Sequence, residues 1–198
     1  MLPPLTANYQ QSLKRTRTAT SNSVRRIWKA LPAYNEAEVK EFLKKVLPIV
    51  NAGQRKAIAQ TSAYLSMKTK TPIIGLNAPK VVKSAKNDMT PEQVYRTPFI
   101  ATWGALSDGA DYEDAVMQGE NEAAGMSQMD IALAAGAAMY AWGDQSSEEI
   151  VAWVRVAEGG ACEFCQSVDG AHTGPDEPMP LHRDCGCTAD PIFGRTNN

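Results

Sequence analysis

Between Asn35 and Val50 the apolar residues Val39, Phe42, Leu43, Val46, Leu47 and Val50 recur at the spacing of a helix with one buried stripe. Asn35 stands where a capping side chain is needed, and Glu38 follows three residues on. Pro48 lacks a backbone donor, so a bend or break is expected there, with renewed helix over Ala57, Ile58 and Leu65 to about Lys68. Val24, Ile27, Trp28 and Leu31 also keep helical spacing, but the Ser/Thr-rich residues before them show no stripe. A basic arm leading into a helix is the expected form. Thr71 to Asn87, with Pro72, Gly75 and Pro79, reads as a loop or linker. Thr90 and Pro91 give a second start signal, for a helix that should end near Pro98 or restart after it. Tyr112 to Trp142 is dominated by Ala, Met and acids with scattered Gly, and predicts two close-packed helices meeting around Gly125 and Ser127. After Gly143 the pattern changes: Val151, Trp153, Val154 and Val156 suit a strand that feeds a glycine- and cysteine-bearing turn.

The fold these elements predict is mainly α with a small α+β C-terminal module. It is a helical body followed by a short-stranded Cys/His tail of the zinc-knuckle type. The expected division is a basic helical N-terminal region over residues 1–88 and an acidic domain over residues 89–198, with the knuckle at 159–192.

Composition sharpens that division. The chain of 198 residues is 43% hydrophobic and 21% charged, enough for one ordinary core with an appendage. Its net charge of -2 hides an asymmetry. Residues 1–86 hold 16 Lys and Arg against three acids, whereas the remaining 112 residues hold four cations against 19 acids. The halves therefore face different partners, or each other. The run Ile131 to Trp142 is too short to span a bilayer, which needs about 20 apolar residues. The amino terminus lacks the apolar core of a secretory signal, so neither a membrane partner nor export is expected.

All four cysteines fall within one short stretch, as Cys162-x-x-Cys165 and Cys185-x-Cys187, with His182 three residues before Cys185. Two short turns each offering two ligands form the pattern of a tetrahedral metal knuckle, and soft thiolates with an imidazole suit one structural zinc ion. Five candidates compete for four places. Cys162, Cys165, His182 and Cys185 are the favoured set, with Cys187 either the true fourth ligand or a thiol beside it. Two disulfides, or a redox dithiol at Cys162 and Cys165, are the alternatives. His172 reads as a solvated loop residue. The sequence shows no nucleotide-binding glycine loop, no nucleophile elbow and no H-E-x-x-H, so no enzymatic activity is expected.

Read as one string, W-V-R-V-A-E-G-G-A-C-E-F-C-Q-S-V-D-G and then P-M-P-L-H-R-D-C-G-C-T-A-D-P, the tail resembles the end of the Mu F-like minor head proteins of tailed bacteriophages. Their pattern is a small-residue helix, a Trp-containing strand, C-x-x-C, a D-G turn, P-x-H-x-x-C-x-C and a closing strand. Its counterparts here lie within roughly residues 112–192, including Asp169-Gly170 and Pro180. Arg183 and Gly186 depart from the Pro and Arg often found in the family. The resemblance implies a structural protein of head morphogenesis, a minor capsid component associated with the portal, present in the host cytoplasm during assembly and then inside the head of the virion. It would assist head assembly and DNA packaging or delivery. Its partners would be the portal and other capsid proteins, with packaged DNA met through the basic N-terminal half. The alternative is a zinc-knuckle nucleic-acid-binding protein.

Overall fold

The computed structural model describes residues 3–71, 76–77, 80–81, 89–145, 149–176 and 186–194. Four long helices come first: α1 (Pro4–Lys29), α2 (Glu36–Thr69), α3 (Pro91–Ser107) and α4 (Tyr112–Gly143). Then follow β1 (Ile150–Val156), the short helix α5 (Glu163–Ser167), β2 (His172–Thr173) and β3 (Thr188–Phe193). The molecule is mainly α with a small α+β C-terminal module, as the sequence predicts. No helix among the described residues is long and apolar enough to cross a membrane.

Helix α4 is the hub, with α1, α2 and α3 all packed against it. Small residues make that possible, because Ala115, Ala123, Ala124, Ser127, Ala134 and Ala138 are completely buried and let three neighbours come close. At Gly119 a Cβ would stand 2.2 Å from Thr102 Oγ1 and 2.4 Å from Trp28 Cζ2, so glycine is what admits the indole. Two apolar clusters run along the bundle. One gathers Trp28, Tyr34, Phe42, Tyr95 and Phe99, with Trp28 Nε1 donating to the Val116 carbonyl at 3.0 Å. The other joins Tyr9, Leu13, Tyr64, Ile131, Met139 and Trp142 to Trp153 and Ala189 of the sheet. Both clusters draw on residues from either side of position 88.

Four expectations about elements are corrected. The Ser/Thr-rich stretch before Val24 is not an arm but the first half of α1, starting at Pro4. Its inward face is mostly polar (Thr6, Gln10, Thr16, Arg17, Thr20, Ser21), with Tyr9 and Leu13 as its apolar contacts, so it buries side chains at helical spacing without a continuous apolar stripe. Helix α2 runs unbroken through Pro48, whose side chain is exposed and which sits on the outer face where water can serve the stranded carbonyl. Helix α3 continues through Pro98 to Ser107, because Tyr95, Phe99 and Thr102 on either side are all fully buried in the same face. Tyr112 to Gly143 is one helix rather than two, and Ser127 Oγ donates to the Ala124 carbonyl at 2.7 Å instead of ending it.

The start signals stand. Asn35 accepts from the amides of Ala37 and Glu38, while Glu38 accepts from Ala33 and Tyr34 rather than from Asn35 itself. Thr90 and Gln93 form a reciprocal capping box at α3. Most of the stretch from Thr71 to Asn87 read as a loop lies outside the described residues; Leu76 and Val81 are buried in the second cluster.

Candidate metal centre

The sheet has the order β2-β1-β3 and is antiparallel throughout. Its last β1–β3 pair is Val156 opposite Thr188, so the chain leaving β1 lies beside the chain entering β3. This register brings the Cys162-x-x-Cys165 turn and Cys187 to the same end of the sheet. Cys165 and Cys187 are buried in one small cluster, with Ala157 and Ala161 packed on it, while Cys162 is exposed.

The turn is shaped by short-range bonds. Gly160 takes a positive φ of 84°, which glycine adopts without strain. Asp169 Oδ1 accepts from the Ala157 amide at 2.8 Å and closes the loop on itself. Cys162 caps α5, its sulfur accepting from the Cys165 amide at 3.5 Å. Gly170, at φ 76°, makes the turn back into β2, where its amide donates to the Arg155 carbonyl at 2.9 Å. His172 is exposed, as expected, but lies in β2 opposite Val154 rather than in a loop.

Of the five candidate ligands, Cys162, Cys165 and Cys187 are described, whereas His182 and Cys185 lie outside the described residues. Among the described residues no group of three His, Cys, Asp or Glu side chains is close enough to hold a metal ion. The donor chemistry nonetheless fits a thiolate-binding ion. Arg155, only 4% exposed, points its guanidinium at Cys165, with Nη1 at 3.8 Å from Sγ. A buried cation and a backbone amide aimed at the two sulfurs both favour the thiolate form that a metal requires.

This end of the sheet is fastened to the N-terminal helix. Arg17 Nη2 lies 2.6 Å from Glu158 Oε2, with the two side chains 8% and 16% exposed. Lys14 Nζ stands 3.1 Å from Oε1 as an ion-pair contact without hydrogen-bond alignment. Gln10 Nε2 donates to the Val156 carbonyl at 3.0 Å and to Thr188 Oγ1 at 3.1 Å, holding both strands where they pair. Gly186 fits against this lock, because a Cβ there would stand 1.4 Å from Glu158 Oε2. The glycine between the last two cysteines is thus explained by the carboxylate that occupies the space of a side chain.

A second tether joins α2 to β3. Asp190 Oδ1 accepts from both Tyr64 and Lys68, Tyr64 also bonds Thr6, and Tyr9 stacks on Tyr64 with centroids 4.3 Å apart. Burial, reinforced by Asp190, pushes the Tyr64 phenol far up from its ordinary value, and burial does the same for Tyr9. At the other end of the bundle, Glu120 receives Arg25 at 2.9 Å and Lys29 at 3.4 Å. The opposite charges of the two halves therefore meet one another at Glu158, Asp190 and Glu120.

Sequence reasoning missed Arg17, Gln10, Arg155 and Glu158. Arg155 was visible as a cation two residues from Trp153, on the same side of a strand. Arg17 and Gln10 carried no signal, since only tertiary packing turns them inward. Beside the cysteines lies an apolar cavity of ≈ 40 Å³ between Tyr9, Leu13, Ile131, Met139 and Cys187. It has room for about one or two water molecules and not for a substrate. A groove of ≈ 500 Å³, which shares Tyr140 with this cavity, is open and bordered by Trp153, Asp144, Glu149 and Asp176.

The family model described as VG15 protein matches residues 4–198. No curated protein and no solved structure gives a significant match.

Proposed function

Because the chain belongs to the VG15 family, a viral family of the phage type, we propose that it is a structural protein of head morphogenesis in a tailed phage. In this reading it is a minor capsid component of the Mu F-like kind, associated with the portal. It resides in the host cytoplasm during assembly and inside the head of the finished virion, and it assists assembly and the packaging or delivery of DNA. The portal and other capsid proteins are its partners, with packaged DNA met through the basic N-terminal half. No catalytic role is assigned to it.

The observation that carries this reading is the seam between the cysteine turn and α1. Arg155, Arg17, Gln10 and Glu158, the polar groups around the cysteines, are engaged with the protein itself, and the adjoining cavity is too small for a substrate. Such a centre supports a clasp rather than a reaction. One zinc ion held by Cys162, Cys165, His182 and either Cys185 or Cys187 would neutralise the thiolates and pin the tail to the bundle, its contribution being to folding.

The alternative, a knuckle that itself reads nucleic acid, is disfavoured by Glu163 and Asp169, both exposed beside the turn, since phosphate would be repelled there. Composition of purified particles tests the proposal. The protein should be found inside DNA-filled heads at low copy, and its deletion should lower the yield of filled heads. A protein absent from particles, with normal heads formed without it, would contradict the reading.

A further inference from the structure

The ion pairs sort the cations of the N-terminal half into two sets. Lys14, Arg17, Arg25, Lys29 and Lys68 are paired with Glu158, Glu120 and Asp190 of the other half. A second set, Arg15 and Arg26 on α1 with Lys40, Lys44, Arg55 and Lys56 on α2, is exposed on faces turned away from the core. On α2, Lys40, Lys44 and Arg55 fall within one narrow stripe, with Lys56 about 100° further round the helix, and on α1 Arg15 and Arg26 are three turns apart on one line. Helices α1 and α2 pack on each other as well as on α4, so both groups of cations belong to one side-by-side helix pair.

Helix α1 contains no acid. The three acids of α2 are already engaged, Glu36 with Arg96 at 2.8 Å, Glu38 with the amides of Ala33 and Tyr34, and Glu41 with Lys45 at 3.1 Å. The Lys45 ammonium holds the Glu41 carboxyl below its ordinary range. The net field of this surface is therefore strongly positive, and it survives the pairing between halves that cancels the charge elsewhere.

The geometry points to the sugar-phosphate backbone of duplex DNA as the occupant of this face. Lys40 to Lys56 spans ~24 Å of helix axis at 1.5 Å per residue. Duplex DNA presents one charge per ~1.7 Å, or roughly 14 phosphates over that length. Thr18, Asn22 and Asn51 are exposed on the same two helices and supply the neutral donors that phosphate contacts commonly use. A protein partner would call for apolar anchors at the centre of the patch. Met67, near the far end of α2, is the large apolar side chain exposed on these two helices. A surface of cations and small polar groups binds phosphate without reading bases, which suits DNA of any sequence.

This inference deepens the proposed function by naming the side chains that meet DNA, and its test is independent of particle composition. The full chain is titrated against a fluorescein-labelled duplex of about 30 base pairs by anisotropy, across a range of salt. About six phosphate contacts predict a slope of log affinity against log salt near -5, and two unrelated duplex sequences should bind alike. Lys40→Glu/Lys44→Glu/Arg55→Glu/Lys56→Glu should weaken binding at least ~100-fold at about 0.1 M salt, because each lost contact forfeits its counterion release. Lys80→Gln, outside α1 and α2, should stay within about 2-fold, and circular dichroism checks that each variant is folded. An unchanged affinity in the folded quadruple variant, or no binding at low salt, would overturn the inference. Equal binding to polyglutamate would also overturn it, in favour of an acidic protein partner.

Discussion

Replacing Arg17 by methionine tests how the tail is held to the bundle. The guanidinium lies 2.6 Å from Glu158, and both side chains are largely buried. Two such charges attract by ~4 kcal/mol at about 4 Å and an effective dielectric of about 20, but most of this is offset by the hydration each gave up. The cost of the substitution therefore comes mainly from the carboxylate left behind. Stranding one member of a buried pair costs about 3–5 kcal/mol. Lys14, 57% exposed and 3.1 Å from the other carboxylate oxygen, remains to compensate part of that charge. The expected loss for Arg17→Met is about 2–3 kcal/mol, against less than about 1 kcal/mol for Lys14→Ala, whose ammonium is solvated. Arg17→Met combined with Glu158→Leu should recover at least ~1 kcal/mol relative to the sum of the single changes, since no charge is then stranded. Urea unfolding followed by circular dichroism measures this, with a lowered midpoint at unchanged slope. Equal costs for Arg17→Met and Lys14→Ala, or additive single changes, would refute the reasoning.

Gly119→Ala should destabilise the bundle by about 3 kcal/mol or more, because the new methyl meets Trp28 Cζ2 at 2.4 Å; a thermal melt within a degree or two of the parent would contradict the packing described. Tyr9, Tyr64 and Tyr95 are each raised first by burial, and Asp130 adds to this at Tyr95. A phenol whose folded pKa lies above its unfolded value of about 10 stabilises the fold fully below that pH and loses the contribution as pH rises beyond it. Tyrosinate absorbance should therefore rise in a cooperative step coincident with alkaline unfolding, and smooth titration of all six tyrosines near pH ~10 in the folded protein would count against the buried stack.

The sequence announced those elements whose burial is apolar or whose ends are capped by local chemistry. Val39 to Val50 shows a stripe because its inward residues are hydrophobic, and Thr90-Pro91 shows a start because the cap lies within four residues. The first half of α1 stayed hidden because it buries Thr6, Gln10, Thr16 and Arg17, whose partners lie as far away as residue 188. Proline and small-residue signals misled for a related reason: local cost at Pro48, Pro98 and Gly125 is outweighed by packing on both sides, which a local rule does not see. The cysteine turn was legible by spacing alone. The lock around it was not, since Arg17, Arg155 and Glu158 gain their meaning from a strand register and a helix contact distant in sequence. The charge asymmetry was visible in the sequence, whereas its division into a set paired with acids of the other half and a set left facing solvent required the fold.

At the centre of the proposed function stands a Cys/His tail that acts as a metal-held clasp. Elemental analysis of the purified full chain, with thiol counting under denaturing conditions after chelation, tests this most directly. One zinc per chain and four reactive thiols are predicted. No metal and no reactive thiol would select two disulfides instead and contradict the clasp.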